Sequence, residues 1–200
     1  MLTIPVAAAV TAWLEAERID KPAYASLMTG WVREAYGGDG LANPIHALER
    51  GETTAEQFEE LLAGRLMRAD GAAVAPGGLL RRMFATMAPV PAMYVLLRSL
   101  RQAGVRTGML SNSWGNDYPR ELFTDVFDAV VISSEVGMRK PERRIFVHAL
   151  ARLGLTPREC VFVDDIEANV TAARALGMIG LHHRDAETTA AAVRDLFGLA

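Results

Sequence analysis

From residue 91 to the C-terminus, short apolar runs and amphipathic stretches alternate without a break, and no other feature restricts the fold so tightly. "MYVLLRSLRQAG" has helical spacing and stops at Gly104. "VRTGMLSN" and "DAVVISS" read as short buried strands. "PERRIFVHALARLGL" predicts a helix opened by Pro141, with Ile145, Ala149, Leu150 and Leu153 on one face. "CVFVDD" is then a strand, "EANVTAARALG" a helix, "MIGLHH" a strand and "AETTAAAVRDLFG" a closing helix. Continuous apolar strands separated by helices predict an α/β fold, a Rossmann-like parallel sheet with helices on both faces.

Ahead of residue 90 the pattern is helical. "VAAAVTAWLEAERI" and "TTAEQFEELLAGRLMRA" carry apolar residues at helical spacing, the second capped by Thr53 or Thr54, and "EAYGGDGLANP" reads as a loop. The chain thus divides into a helical region over 1–90 and an α/β core over 91–200. Half of its 200 residues are hydrophobic, enough for a packed core. A net charge of -3 offers no footprint for nucleic acid, and no apolar run reaches the roughly 18 residues of a membrane span. The single cysteine, Cys160, cannot close an internal disulfide and is expected to pack; a reducing cytoplasm is the simplest address.

In parallel α/β sheets, chemistry gathers at the carboxyl ends of strands. Three predicted strand ends carry polar residues: Ser111-Asn112, Ser133-Ser134 and Asp164-Asp165. A hydroxyl and an amide past a strand can bind an oxyanion where the next helix begins, or can simply form the turn. Lys140 is one of only two lysines among 21 basic residues. Its place at a helix mouth suits a compact ammonium that neutralises phosphate and carboxylates, with an exposed surface lysine as the plain alternative. Asp164 and Asp165 repel each other unless a cation lies between them, and with Asn169 they offer hard oxygen ligands for Mg²⁺. Helix capping by Asp165 accounts for only one of the two acids.

In this order and spacing, the three stretches "LSNSWGN", "VGMRKPERRIF" and "VFVDDIEAN" resemble the haloacid dehalogenase superfamily, in particular its phosphatase-like members with a helical cap. The resemblance covers residues 91 to 183 by motif and 5 to 90 loosely, as the cap. It implies that Ser111 binds the transferring phosphoryl group with Asn112 beside it, and that Lys140 is the lysine of the third motif. Asp164 and Asp165 are then the acidic pair of the fourth, Asp165 being the direct magnesium ligand. The implied substrate is a small phosphorylated metabolite.

The same resemblance implies a nucleophilic aspartate after a first, central strand, in a pattern like D-x-D or D-x-G-G-V-L-T. This chain opens "MLTIPVAAAV", and no aspartate precedes Asp20, which follows a helix and makes a poor substitute. Leu2-Thr3 matches the end of the longer pattern, so the expectation is that the chain starts inside the motif and that the DNA ahead of Met1 encodes an aspartate. Without a central strand worth several side chains at about 1.5–3 kcal/mol each, a groove or an atypical strand is expected between "GMLSN" and "VFVDD". An open slot there would favour a homodimer.

Three other readings compete. A catalytically inactive binding or assembly protein of the same fold fits the missing nucleophile, and the chain as it stands is expected to be inactive. A 2-haloacid dehalogenase ranks lower, because "VDDIEAN" points to cation binding. Phosphonate cleavage would need a cap lysine, and Lys21 lacks a fitting context. Trp114 is expected to line a substrate pocket or to pack cap on core; His182 and His183, adjacent in a strand, point to opposite faces and make a poor metal pair.

Overall fold

The computed structural model describes residues 2–3, 6–37, 43–115, 118 and 120–199. By its contacts the chain forms two compact units: a helical one of Pro5–Met87 with Asn112–Asp117, and an α/β one of Met1–Ile4, Ala88–Ser111 and Tyr118–Ala200.

The helical unit contains α1 (Val6–Ala16), α2 (Lys21–Gly37), α3 (Pro44–Glu49), α4 (Ala55–Ala63) and α5 (Leu79–Met83). Thr54, not Thr53, caps α4 through a reciprocal box with Gln57. Both predicted helices stop early: Gly64 ends α4 and residue 17 begins a turn that carries Arg18 at φ 54°. The loop expected over 34–44 is helical as far as Gly37, because Glu34, Ala35 and Tyr36 tolerate a helix and only the glycines resist it; residues 38–42 lie outside the described residues. Asn43 caps α3, accepting from the N–H groups of Ile45 and His46. Phe58, Leu62 and Leu79 are wholly buried among Trp13, Trp31, Leu80 and Met83. Each contributes about 1.5–3 kcal/mol.

In the α/β unit, α6 (Pro91–Gln102) leads to β1 (Gly108–Ser111), β2 (Ala129–Ile132), α7 (Ser133–Val136), α8 (Arg143–Leu153), β3 (Val161–Asp164), α9 (Glu167–Ala175), β4 (Ile179–His182) and α10 (Ala186–Phe197). This is the expected α/β architecture of parallel strands and flanking helices. Pro141 does not open α8, which begins at Arg143. Arg139 to Glu142 form a turn closed by the Glu142 N–H on the Arg139 carbonyl, and the proline sits in that turn.

The sheet is in two pieces. β1 pairs in parallel with β2, Gly108 opposite Ala129, and β3 with β4, Val161 opposite Ile179. Both pieces lie between the same helical layers. Leu110, Val131 and Phe162 face α8 and α9, around Ile145, Phe146 and Ala173. On the other face Val163 and Leu181 meet α6 and α10, and Met109 and Val130 meet Tyr94, Phe123 and Phe127. Alternate residues of each strand go to opposite layers, as a pleated strand requires. The helix α8 connects β2 to β3 and covers both β2 and β1. Among the described residues no strand pairs with both pieces.

Candidate functional site

The Lys140–Asp164 pair anchors the carboxyl end of β3. The ammonium donates to Asp164 Oδ2 at 2.6 Å, with the two side chains 5% and 1% exposed. The other Asp164 oxygen accepts from the Ile166 N–H at 2.9 Å and from Asn169 Nδ2 at 3.0 Å. Three donors therefore hold this carboxylate, so the buried group is both paired and hydrogen-bonded. Asp164, and not Asp165, takes the bonds at the start of α9; the Asp165 cap does not form, and the residue before the helix, Ile166, makes no side-chain cap bond. The cause is the alternation along β3. Asp164 continues the side of Phe162, where the Lys140 ammonium lies 5.8 Å from the Phe162 ring, while Asp165 turns out to the surface.

A second set of contacts fixes the Asp165 backbone. His182, at the end of β4, places Nε2 3.0 Å from the Asp165 carbonyl and Nδ1 2.9 Å from Glu167. Arg174 holds the other Glu167 oxygen at 2.9 Å and reaches back to the Gly180 carbonyl. A side chain at Gly180 would come 2.8 Å from both Val170 and Arg174, so glycine is what lets α9 sit against β4. His183 turns the other way to Thr189, and burial lowers the pKa of its imidazole. Burial likewise raises the Cys160 thiol, which packs beside the α8 layer.

Ser111 ends β1, and its hydroxyl meets the Tyr118 hydroxyl at 2.9 Å. The sequence drew no attention to Tyr118, whose role depends on a turn of the chain and not on any spacing. Asn112 and the residues after it group with the helical unit. There Trp114 packs against Phe58 and Phe84, with ring centroids 5.8 and 6.1 Å away, and its Nε1 donates to Glu49. Gly115 follows at φ 70°, where a side chain would strike Ala55 at 2.7 Å. Asp20 accepts from the Ala23 N–H at the start of α2, and Lys21 pairs with Glu15 on the surface. Among the described residues no group of three or more His, Cys, Asp or Glu side chains is arranged to hold a metal. The two acids of 164–165, one buried and one exposed, suit a hard cation that keeps most of its water.

The model of the haloacid dehalogenase-like hydrolases matches residues 2–177. This chain belongs to that family. Among curated relatives, the sesquiterpene phosphatase astK of Aspergillus oryzae is 37% identical over 122 residues, 59% of this chain and 62% of that protein. The glyceraldehyde 3-phosphate phosphatase of Methanopyrus kandleri is 32% identical over 106 residues, 50% of this chain and 46% of that one. The chain thus spans less than two thirds of the length of these relatives. Its fold matches a predicted hydrolase of the family from Porphyromonas gingivalis at TM-score 0.63 and 20% identity, covering 90% and 91% of the two chains. It also matches a family enzyme from Bacteroides thetaiotaomicron, in complex with magnesium and inorganic phosphate, at TM-score 0.60 and 21% identity over 88% and 86%. No helix among the described residues is long and apolar enough to cross a membrane.

Proposed function

We propose that this hydrolase serves in Mg²⁺-dependent hydrolysis of a small phosphomonoester, and that the nucleophile is an aspartate supplied ahead of Leu2. One observation carries the reading: the buried Lys140–Asp164 pair at 2.6 Å beside the exposed Asp165, all at one strand end. The phosphatases among its relatives support the same chemistry. Ser111 and Asn112 bind the phosphoryl oxygens, and Lys140 neutralises charge on the transferring group while holding Asp164 in place. Asp165, with Asp164 beside it, would hold magnesium, which would supply a positive charge to share with the phosphate. The phosphoryl group passes in line to the aspartate as its ester P–O bond breaks and the alcohol leaves with a proton from the second aspartate of the same upstream pattern; water then hydrolyses the aspartyl phosphate to free phosphate and restores the aspartate. Choice of substrate is assigned to the helical unit, acting as the cap.

The test is the chain extended at its start by an apolar strand ending in Asp-x-Asp, assayed for phosphate release from a panel of phosphomonoesters. Turnover is expected, and Asp165→Ala should lower kcat by about 10²–10³-fold. An extended protein that folds and turns over nothing on the panel would sink the proposal. The second reading, a binding module without turnover, is favoured by one fact: the first aspartate of the chain, Asp20, is engaged in capping α2. A 2-haloacid dehalogenase remains the lesser alternative, with no structural feature in its favour.

A further inference from the structure

The carboxyl end of β1 is supported from the aromatic layer of the α/β unit, by a residue outside the three motifs. Side chains along β1 alternate between the two faces of the sheet. Leu110 faces α8 and α9, whereas Met109 packs with Tyr94, Phe123 and Phe127. Ser111 comes two residues after Met109 and so continues the aromatic face. What meets it there is Tyr118, a member of the same aromatic cluster, set edge-on to Phe123 with ring centroids 6.4 Å apart. Phe123 is in turn edge-on to Phe127 at 5.6 Å. The Tyr118 carbonyl accepts from the Arg120 N–H at 2.8 Å, where the 3₁₀ turn Arg120–Leu122 begins. Ring and backbone are both held, and the hydroxyl is thereby delivered to Ser111.

The two hydroxyl oxygens are 2.9 Å apart, both residues are half-buried, and either oxygen could be the donor. The ligand chemistry decides between the two directions. Each hydroxyl has a single proton to donate. The oxygens of an ionised phosphoryl group only accept. A Ser111 that gave its proton to Tyr118 would turn a lone pair toward the anion and repel it. With Tyr118 as donor, Ser111 keeps its proton for a phosphoryl oxygen. The bond it receives also polarises that proton and strengthens the donation.

We infer that Tyr118 is a positioning residue for the phosphoryl group: its O–H donates to Ser111 Oγ and so aims the Ser111 proton at a phosphoryl oxygen. The inference rests on the phosphatase reading, in which Ser111 binds that oxygen. Tyr118 itself does not touch the phosphate and acts through Ser111 alone.

The test is binding of inorganic phosphate to the full chain at saturating Mg²⁺, by calorimetric titration of the wild type, Tyr118→Phe, Ser111→Ala and the double variant. Tyr118→Phe keeps the ring in its cluster and removes only the hydroxyl. It should weaken phosphate binding by about five- to ten-fold, the contribution of one hydrogen bond. In the Ser111→Ala background the same substitution should change affinity by less than about two-fold, because no hydroxyl is left to orient. Equal weakening in both backgrounds would mean that Tyr118 only shapes the chain around it, and would overturn the inference. Unchanged binding by Tyr118→Phe would overturn it too. So would tighter binding, which would show Ser111 donating to Tyr118. In these three outcomes the wild type still binds phosphate and the phosphatase reading stands. A folded wild type that binds no phosphate overturns both, since Ser111 then holds no phosphoryl group for Tyr118 to act on.

Discussion

The two units of this chain treat buried charge differently. In the helical unit it serves local architecture. Glu59, 7% exposed, accepts from the Gly78 and Leu80 N–H groups and so starts α5; Glu17 takes Arg82 at 2.5 Å and Arg68 at 3.3 Å. In the α/β unit the buried acid Asp164 is paired with a buried lysine 24 residues away in the chain, beside an exposed acid. Burial of a carboxylate alone therefore says little about function. What separates the two is position: a helix start needs an acceptor, whereas a strand end needs no lysine.

Removing the lysine is the strongest way to test that contrast. Lys140→Ala leaves the Asp164 charge buried without its cation, and chemical denaturation should show a loss of about 3–5 kcal/mol. Glu17→Gln, in the helical unit, removes the charge and one of the two acceptor oxygens that meet two arginines, each about one third exposed, and should lose roughly 1–3 kcal/mol. Equal losses would erase the distinction. A smaller loss for Lys140→Ala than for Glu17→Gln would reverse it.

Leu2→Ala probes a side chain that packs both with Val163 and Leu181 and with Met109 and Val130. The side chain is only half-buried, so its removal should cost about 1–2 kcal/mol, less than a fully buried leucine. A loss indistinguishable from zero would mean that Leu2 covers no surface of consequence in either cluster.

Much of this was legible in the sequence, for reasons particular to each element. The strands β1 to β4 and the helices α6, α8, α9 and α10 stand where the apolar periods put them, because each buries one or two faces against a layer. The helices α2, α3 and α5 were not legible. Pro22 and Gly30 blur the first, and six and five residues are too few to show a period in the other two. For the candidate site, polar residues at strand ends singled out Ser111 and the acidic pair, and the scarcity of lysine singled out Lys140. The division of labour between Asp164 and Asp165 depended on which side of β3 met Lys140, a three-dimensional fact. Tyr118 and His182 act through one hydroxyl and one backbone carbonyl, and neither contact has a sequence signature.

The smallest effect lies in a motif that both units share. Thr54 with Gln57 caps the nine-residue α4, and Thr156 with Glu159 forms the same box around the three-residue 3₁₀ turn that leads into β3. The second box contains a carboxylate whose pKa is lowered, first by the Thr156 hydroxyl and then by the Thr156 N–H. A depressed carboxylate stabilises the fold above its unfolded pKa of roughly 4.3, and that contribution fades as pH falls through the folded value. Denaturation midpoints followed from pH 6 to pH 3 should therefore fall more steeply for the wild type than for Thr156→Ala, the two curves converging at the acid end. Thr54→Ala should also flatten the curve over the same range, but less, because the Thr54 hydroxyl is only the second cause, after the Glu56 N–H, of the lowered Glu56 pKa. If the Thr156→Ala curve ran parallel to the wild type instead, the acid would contribute nothing through this box, and the two caps would differ only in the length of helix that follows them.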